Sequence, residues 1–163
     1  MKHRLMPCLL LAATLPFAAH ADNWRLSTTF SDFSGQGAPN AAAIDLQWQG
    51  KPLWQPGGWR IGPAAAISWD SQHSQWGGIG LSARRNLAPR WIVEFSEMPG
   101  IYRPGTARTE LGGPVEFRTQ LSLGYVISRH LRLEMGIYHR SNAGLYHDNP
   151  GVNSVTLGLT RQF

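Results

Sequence analysis

His139 and Ser141 lie two residues apart, at the end of a segment in which apolar and polar residues alternate. Successive side chains of a β-strand point to opposite faces, so these two side chains are predicted to share one face. A serine beside a histidine is the combination that nucleophilic catalysis uses, although most such pairs in proteins carry no chemistry. The residues that precede them on the same face are all apolar, namely Leu131, Leu133, Met135 and Ile137.

A third polar side chain is predicted to lie beside this pair. Counting back from Phe163 along the apolar face of the last alternating segment gives Arg161, Leu159, Leu157, Val155 and then Asn153. An unpaired polar group in hydrocarbon, or at its margin, costs several kcal/mol. We therefore expect His139, Ser141 and Asn153 to be neighbours on one apolar face, where they can satisfy each other's hydrogen bonds.

The elements that would position these residues are strands. Alternation of period two recurs in eight segments of about ten residues, separated by Gly, Pro, Asn and Ser, and no stretch after residue 21 has helical periodicity. The sequence thus predicts an all-β fold with eight antiparallel strands. Their apolar faces are Trp24/Leu26/Thr28/Phe30, Ala42/Ile44/Leu46/Trp48, Ile61/Ala65/Ile67/Trp69, Ile79/Leu81/Ala83, Trp91/Val93/Phe95, Phe117/Thr119/Leu121/Leu123/Tyr125/Ile127, Leu131/Leu133/Met135/Ile137 and Val155/Leu157/Leu159/Phe163.

The polar faces of these segments are rich in Arg, Glu, Gln and Ser, and alternation alone does not say which face points inward. An export signal, the tryptophan placement and the terminal Phe163 together favour a transmembrane β-barrel with lipid outside and polar side chains inside. All seven tryptophans fall near predicted strand ends, where the two aromatic girdles of such a barrel would lie. The terminal Phe163 resembles the C-terminal assembly signal of outer-membrane proteins. Pro63, inside the third segment, is unfavourable because proline cannot donate a ladder hydrogen bond.

The first 21 residues are predicted to be a cleaved signal peptide, leaving residues 22–163 as one barrel domain. Basic residues at Lys2 and Arg4 precede an apolar run, and Ala19-His20-Ala21 has the small-x-small form of a cleavage site. The run is too short to span a bilayer, which needs about 20 residues. Because Cys8 is the chain's one cysteine, the mature protein would have no thiol or disulfide chemistry.

The net charge of +5 argues against nucleic acid as a partner. It comes from 15 basic and 10 acidic residues and falls to about +3 without the leader. The bases are scattered rather than clustered, so an anionic lipid surface is the better partner and nucleic-acid binding is not predicted. A homodimer remains an option that the sequence does not decide.

An even number of strands would place both termini on the periplasmic side of an outer membrane. The connections after strands one, three, five and seven would then face outside. They include a long one near residues 98–113 and another near 143–151. The outer connections would bring His139, Ser141 and Asn153 to the outer leaflet.

The segment that carries these residues resembles the PagL-type lipid A 3-O-deacylases. The resemblance lies in His139-Arg140-Ser141-Asn142-Ala143-Gly144, in Asn149-Pro150-Gly151, and in the alternating strand that ends at Phe163. It implies a serine esterase in the cell outer membrane that removes the 3-linked 3-hydroxyacyl chain of lipid A in lipopolysaccharide, with no metal or cofactor. It further implies that Ser141 is the nucleophile, His139 the base and Asn149 an oxyanion-hole donor, together with a backbone N–H between Asn142 and Gly144.

The sequence departs from the family at one position, where Asn153 replaces a glutamate of the triad. An Asn oxygen can still accept the second imidazole N–H, but it cannot stabilise the imidazolium by charge. Asp148 is the acid nearest in the loop and could substitute for the glutamate if the loop folds back. Glu134 falls on the opposite face by parity and is discounted.

Other polar residues receive weaker assignments. Arg140 is predicted to point into the barrel, whereas Arg103 and Arg108, in the long outer connection, are candidates for contact with lipid A phosphates. His147 has no predicted partner. His130, His139 and His147 lack the spacing of metal ligands, so no metal site is predicted.

Three alternatives remain open at this stage. The chain could be a catalytically impaired member of the same family, which Asn153 would explain. It could be a non-enzymatic eight-stranded barrel that serves adhesion or envelope integrity. It could also be a soluble periplasmic barrel that binds an apolar ligand inside.

Overall fold

A computed structural model describes residues 23–163, and the predicted signal peptide lies outside these residues. Eight strands account for most of the described chain, joined by loops that contain three short 3₁₀ helices at Ser34–Gln36, Pro56–Gly58 and Ala107–Thr109. No helix within residues 23–163 is long and apolar enough to cross a membrane. The strands are β1 (Asn23–Asp32), β2 (Ala41–Gln49), β3 (Arg60–Asp70), β4 (Gln75–Ala88), β5 (Trp91–Arg103), β6 (Val115–Ser128), β7 (Leu131–Ser141) and β8 (Val152–Gln162).

The strands form one closed antiparallel barrel in which each strand pairs with its neighbour in sequence and β8 pairs with β1. The predicted eight-stranded antiparallel barrel is therefore confirmed. Closure removes the free edges that an open sheet would present. The connections 33–40, 71–74, 104–114 and 142–151 lie together at what we call the outer end, and the shorter turns 89–90 and 129–130 lie at the other end with 50–59.

Two details differ from the sequence-based prediction. The long connection is shorter than expected, because β5 continues to Arg103 and pairs with both β4 and β6 up to the outer end. Pro63 is accommodated within β3 because the β2–β3 ladder ends at Gln49 and Ala64. The Pro63 carbonyl faces the β2 side, where it accepts the Gly50 N–H at 2.9 Å. Its nitrogen faces the same side, beyond the ladder, so the missing N–H breaks no ladder bond.

The two faces of the barrel wall are divided as predicted, with apolar side chains outside and charged ones inside. Leu26, Ile44 and Met135, for example, expose more than half of their surface. Inside, the Arg118 guanidinium donates to Asp45 at 2.6 Å and the Arg25 guanidinium donates to Gln47 at 2.5 Å. An unpaired charge there would be strongly destabilising, so these pairs allow the interior to be polar. This distribution is the one that transmembrane barrels show.

The prediction that all seven tryptophans lie in outward girdles is wrong for Trp76. Its side chain has interior parity on β4 and is only 2% exposed. The guanidinium carbons of Arg118 and Arg140 lie 4.6 Å and 5.1 Å from its ring centroid, and its indole N–H donates to the Glu116 carbonyl at 3.1 Å. Trp76 therefore fills the barrel interior, where the aromatic face stabilises two buried cations.

Candidate functional site

The outward face of the barrel carries a row of polar residues on five adjacent strands, which we call the polar row. Strand register pairs each member with the next around the barrel wall. Two residues further from the outer end on each strand, a second row is entirely apolar, and we call it the apolar row. The polar row is Glu97, Thr119, His139, Asn153 and Asp32, and the apolar row is Phe95, Leu121, Ile137, Val155 and Phe30.

His139 and Asn153 face each other directly across β7 and β8. The Asn153 Oδ1 lies 2.8 Å from the His139 Nδ1. An amide oxygen can only accept a hydrogen bond, so the proton of a neutral imidazole must lie on Nδ1. The lone pair is then on Nε2, which is the state that a general base requires. The structure thus brings together two of the three residues that the sequence analysis selected.

Ser141 follows on the same outward face of β7, roughly 6.6 Å along the strand from His139. It is half-buried and pairs in register with Phe117 of β6. Within residues 23–163, no hydrogen bond joins the Ser141 hydroxyl to the His139 ring. Contacts of this kind are often loose in a free enzyme and tighten when substrate binds.

The loop after Ser141 is held by the side chains of Asn142 and Asn149. The Asn142 N–H donates to the Asn149 Oδ1 at 3.0 Å, and the Gly144 N–H donates to the Asn142 Oδ1 at 3.0 Å. The two backbone donors that the sequence analysis considered for an oxyanion hole are therefore engaged by side-chain oxygens. Among the described residues, the Asn149 side chain is engaged only through its Oδ1, so the two N–H donors of its Nδ2 remain available. The Ala143 N–H, on a residue with φ of 54°, has no partner within the described chain.

Asn142 also joins the two long outer loops, a role that the sequence analysis missed. Its side chain is fully buried, and its Nδ2 donates to the Leu111 carbonyl at 3.0 Å and to the Asp148 carbonyl at 2.7 Å. The loops approach so closely that a Cβ on Gly112 would lie 1.8 Å from the Asp148 carbonyl oxygen. This contact fixes the backbone that immediately follows Ser141.

Gly151, the last residue of the loop before β8, packs against the imidazole of His139. Its φ of +64° is in the left-handed region, and a Cβ there would lie 2.9 Å from the His139 Cε1 and 3.2 Å from Nε2. Glycine is therefore required both by the backbone and by the ring. No signal in a single sequence distinguishes this glycine from an ordinary turn glycine.

We predict that Gly151→Ala lowers the turnover number of a reaction that uses His139 as its base at least about 10-fold. The added methyl group would displace the Nε2 edge of the His139 ring, and a small displacement of a reacting group slows catalysis strongly. The measurement is kcat on purified, folded barrel. Gly37→Ala is the matched control, since Gly37 has a similar φ of +69° but a Cβ added there would have no neighbour within 4 Å. Equal losses in the two variants would mean that backbone strain, and not contact with His139, is responsible.

The remaining candidates lie away from the His139 ring. The Asp148 Oδ1 lies 3.0 Å from the exposed His147 ring and makes no contact with His139, so the loop does not fold back to replace the glutamate. Glu134 points inward as expected and is paired with Arg25 and Arg132. The inward Arg140 donates to the Ser68 hydroxyl at 3.1 Å.

Of the two arginines considered for phosphate contact, Arg103 ends β5 with an exposed side chain. The exposed Arg108 donates to the Gly37 carbonyl at 3.5 Å, so it bridges two outer loops. The described chain contains no group of three or more His, Cys, Asp or Glu side chains able to hold a metal ion.

A groove of about 440 Å³ runs along the barrel wall beside the His139 ring. The apolar row forms its floor, and Thr119, His139, Asn153 and Asp32 line its polar side. A larger concavity of about 650 Å³ lies across β3 to β5 and contains no residue of the polar row. The groove thus joins an apolar surface to His139 and Asn153, and Ser141 lies beyond its lining, further along β7 towards the outer end.

Comparisons with known proteins bear on the family and the fold of the chain. A family model described as "PagL: Lipid A 3-O-deacylase (PagL)" matches residues 41–161. No curated protein matches the chain. The crystal structure of the outer membrane enzyme PagL superposes with a TM-score of 0.66 at 16% identity, covering 86% of this chain and 99% of that one.

Two further barrels share the fold alone. Neisserial surface protein A superposes with a TM-score of 0.56 at 10% identity, covering 88% of this chain and 97% of that one. A de novo designed transmembrane β-barrel gives a TM-score of 0.53 at 9% identity, with the same two coverages. The eight-stranded architecture is thus common to barrels of different origin, and only residues of the site can argue for a function.

Proposed function

Because the chain belongs to the PagL family of lipid A 3-O-deacylases, we propose that it is a serine esterase of the outer membrane. Its substrate is lipid A of lipopolysaccharide in the outer leaflet, and the bond it cleaves is the ester of the 3-linked 3-hydroxyacyl chain. The observation that carries the proposal is the His139–Asn153 hydrogen bond on the outward, apolar side of the barrel, with Ser141 next on the same face.

The proposed reaction uses Ser141 and His139 in two steps. The Ser141 Oγ attacks the ester carbonyl carbon while the His139 Nε2 takes the hydroxyl proton. The tetrahedral intermediate then expels the sugar alkoxide, which receives that proton from His139, and leaves the acyl chain on Ser141. A water molecule, deprotonated by His139, hydrolyses the acyl-enzyme and releases the fatty acid.

The developing oxyanion requires donors near Ser141. Asn149 is our first candidate, because its Oδ1 is occupied by the Asn142 N–H and its Nδ2 donors remain. The Ala143 N–H is a second candidate that the structure adds. Asn142 and Gly144 would serve through their backbone N–H groups only after release from their side-chain acceptors, and otherwise they support the loop.

The groove explains how a membrane lipid would reach this chemistry. Its floor of Phe95, Leu121, Ile137, Val155 and Phe30 can contact a hydrocarbon chain. The ester would then lie past His139, next to Ser141 on the same face of β7. A lipid that diffuses laterally enters such a groove without leaving the bilayer. Because the acyl chain is already in hydrocarbon, contact with the apolar row replaces lipid neighbours and gains no transfer free energy from water, so the groove would position the chain by packing.

A second candidate, a catalytically impaired member of the family, is favoured by one observation. Asn153 supplies the hydrogen bond that orients His139 but no negative charge. Under this alternative the barrel would bind lipid A without cleaving it.

Incubation of the purified barrel in detergent micelles with hexa-acylated lipid A, and in parallel with a diacyl phosphatidylethanolamine, tests the proposal. We expect one 3-hydroxy fatty acid to be released per lipid A and none from the phospholipid. Release from both lipids would indicate a general lipase. Release from neither, while the barrel remains folded, would favour the impaired barrel.

A further inference from the structure

We propose that Asp32 is a positioning residue of this site and supplies, through the Asn153 amide, the negative charge that Asn153 lacks. The inference rests on the proposed function. It concerns the three outward residues that strand register places side by side on β7, β8 and β1. These are His139, Asn153 and Asp32.

The barrel closure creates this arrangement. Asn153 pairs with His139 on one side, in the β7–β8 ladder, and with Asp32 on the other, in the β8–β1 ladder. All three side chains are exposed on the outward face and line the same groove. Directly paired side chains on one face have Cβ atoms about 4.5–5.5 Å apart, which a short carboxylate and a short amide can span.

The hydrogen-bond capacity of Asn153 matches this arrangement. Its Oδ1 accepts from the His139 Nδ1, and its Nδ2 has no acceptor within residues 23–163. The Asp32 Oδ1 accepts the Ser34 N–H at 2.9 Å, and a carboxylate has lone pairs for further donors. Rotation of the Asp32 side chain towards Asn153 would complete a chain in which the imidazole donates to the amide and the amide donates to the carboxylate.

Such a chain would act electrostatically, without moving a proton along it. When His139 takes the Ser141 proton at Nε2, the positive imidazolium is stabilised by the polarised amide and by the carboxylate behind it. Asn153 remains a neutral amide throughout. Asp32 would therefore help the base without touching the substrate.

The other ionisable groups around His139 do not offer the same connection. Glu97 on β5 is also two strands away, but its Oε2 accepts the Thr119 hydroxyl at 2.5 Å and no hydrogen bond joins Thr119 to the ring in the described chain. The outward residues of β6, β7 and β8 that adjoin His139 are not acidic or basic. In the loop 142–151, Asp148 is engaged with His147. Glu97 thus matches Asp32 in charge and strand separation but lacks the amide link.

The experiment compares Asp32→Asn with Glu97→Gln by measuring kcat/KM for lipid A as a function of pH. We expect Asp32→Asn to lower the maximum value of kcat/KM about 3- to 10-fold. The acid limb of the pH profile should move to lower pH, because the protonated His139 ring loses a stabilising negative charge. Glu97→Gln should change both quantities clearly less, because the Glu97 charge acts on the ring only through space and without the amide link. Asp32→Glu should restore part of the activity.

The same substitution in the Asn153→Glu background provides an independent check. A glutamate beside the ring makes the charge of Asp32 redundant, so Asp32→Asn should there cost no activity. Equal effects of Asp32→Asn and Glu97→Gln, or equal losses from Asp32→Asn in both backgrounds, would overturn the proposal.

Labelling of Ser141 by a fluorophosphonate separates this inference from the proposed function. If the pH dependence of labelling shifts in Asp32→Asn while the wild-type protein leaves lipid A intact, the role of Asp32 is supported and lipid A is rejected as the substrate. A wild-type protein that neither cleaves lipid A nor labels would overturn both.

Discussion

Ser141→Ala is expected to reduce lipid A deacylation by at least about 10³-fold, because the variant has no nucleophile to form the acyl-enzyme. His139→Ala should cause a loss of similar size, since the serine hydroxyl then has no base. The two losses should not add in the double variant, because nucleophile and base act as one unit. The measurement is the initial rate of fatty acid release by purified, folded protein.

The barrel contains a matched control for this substitution. Ser128 and His130 form a second pair of serine and histidine two residues apart, at the opposite end of the barrel, where the Ser128 hydroxyl accepts the backbone N–H of His130 at 3.3 Å. Ser128→Ala should leave deacylation unchanged. Retention of activity by Ser141→Ala, or an equal loss in Ser128→Ala, would contradict the assignment of the nucleophile.

Asn153→Glu is expected to raise kcat about 10-fold. A neutral residue at this triad position costs about 10⁴ in a serine protease, but part of that loss comes from the wrong imidazole tautomer. Here the Asn153 oxygen already holds the proton on the His139 Nδ1, so the imidazole has the correct tautomer. A glutamate at this position would therefore add only its negative charge. The carboxylate should also move the acid limb of the pH profile to higher pH, because it stabilises the protonated, inactive ring.

Asn153→Gln separates charge from side-chain length in this experiment. Glutamine has the length of glutamate and the neutral amide of asparagine, so it should give no gain. If glutamine and glutamate raised kcat equally, reach rather than charge would limit the natural site. If neither raised it, the missing glutamate would not be the feature that limits turnover.

The strands and their outward and inward faces could be predicted from the alternation of apolar and polar residues, because only one register keeps charged side chains out of lipid along each strand. Parity on β7 and β8 was enough to place His139 and Asn153 on one outward face, and the strand register then pairs them directly. The same counting along β1, from Phe30 to Asp32, could have exposed the neighbouring acid. Its significance depends on the β8–β1 pairing that closes the barrel, and no local pattern gives that pairing.

Other features depend on contacts between segments that are distant in sequence. The inward position of Trp76 follows from parity on β4, where the glycines around it weaken the apolar alternation, and from the arginines contributed by β6 and β7. The Asn142 contact with Leu111 depends on where two loops meet. Such contacts decide which N–H groups near Ser141 are occupied, so the oxyanion donors could not be settled by motif alone.

The most direct test of the central claim is mass spectrometry of lipid A from cells that express the wild-type chain or Ser141→Ala, with both barrels shown to be inserted. We expect lipid A from wild-type cells to lose the mass of one 3-hydroxyacyl chain and lipid A from Ser141→Ala cells to keep it. Unchanged lipid A in both strains, or the same loss in both, would contradict a Ser141-dependent deacylase.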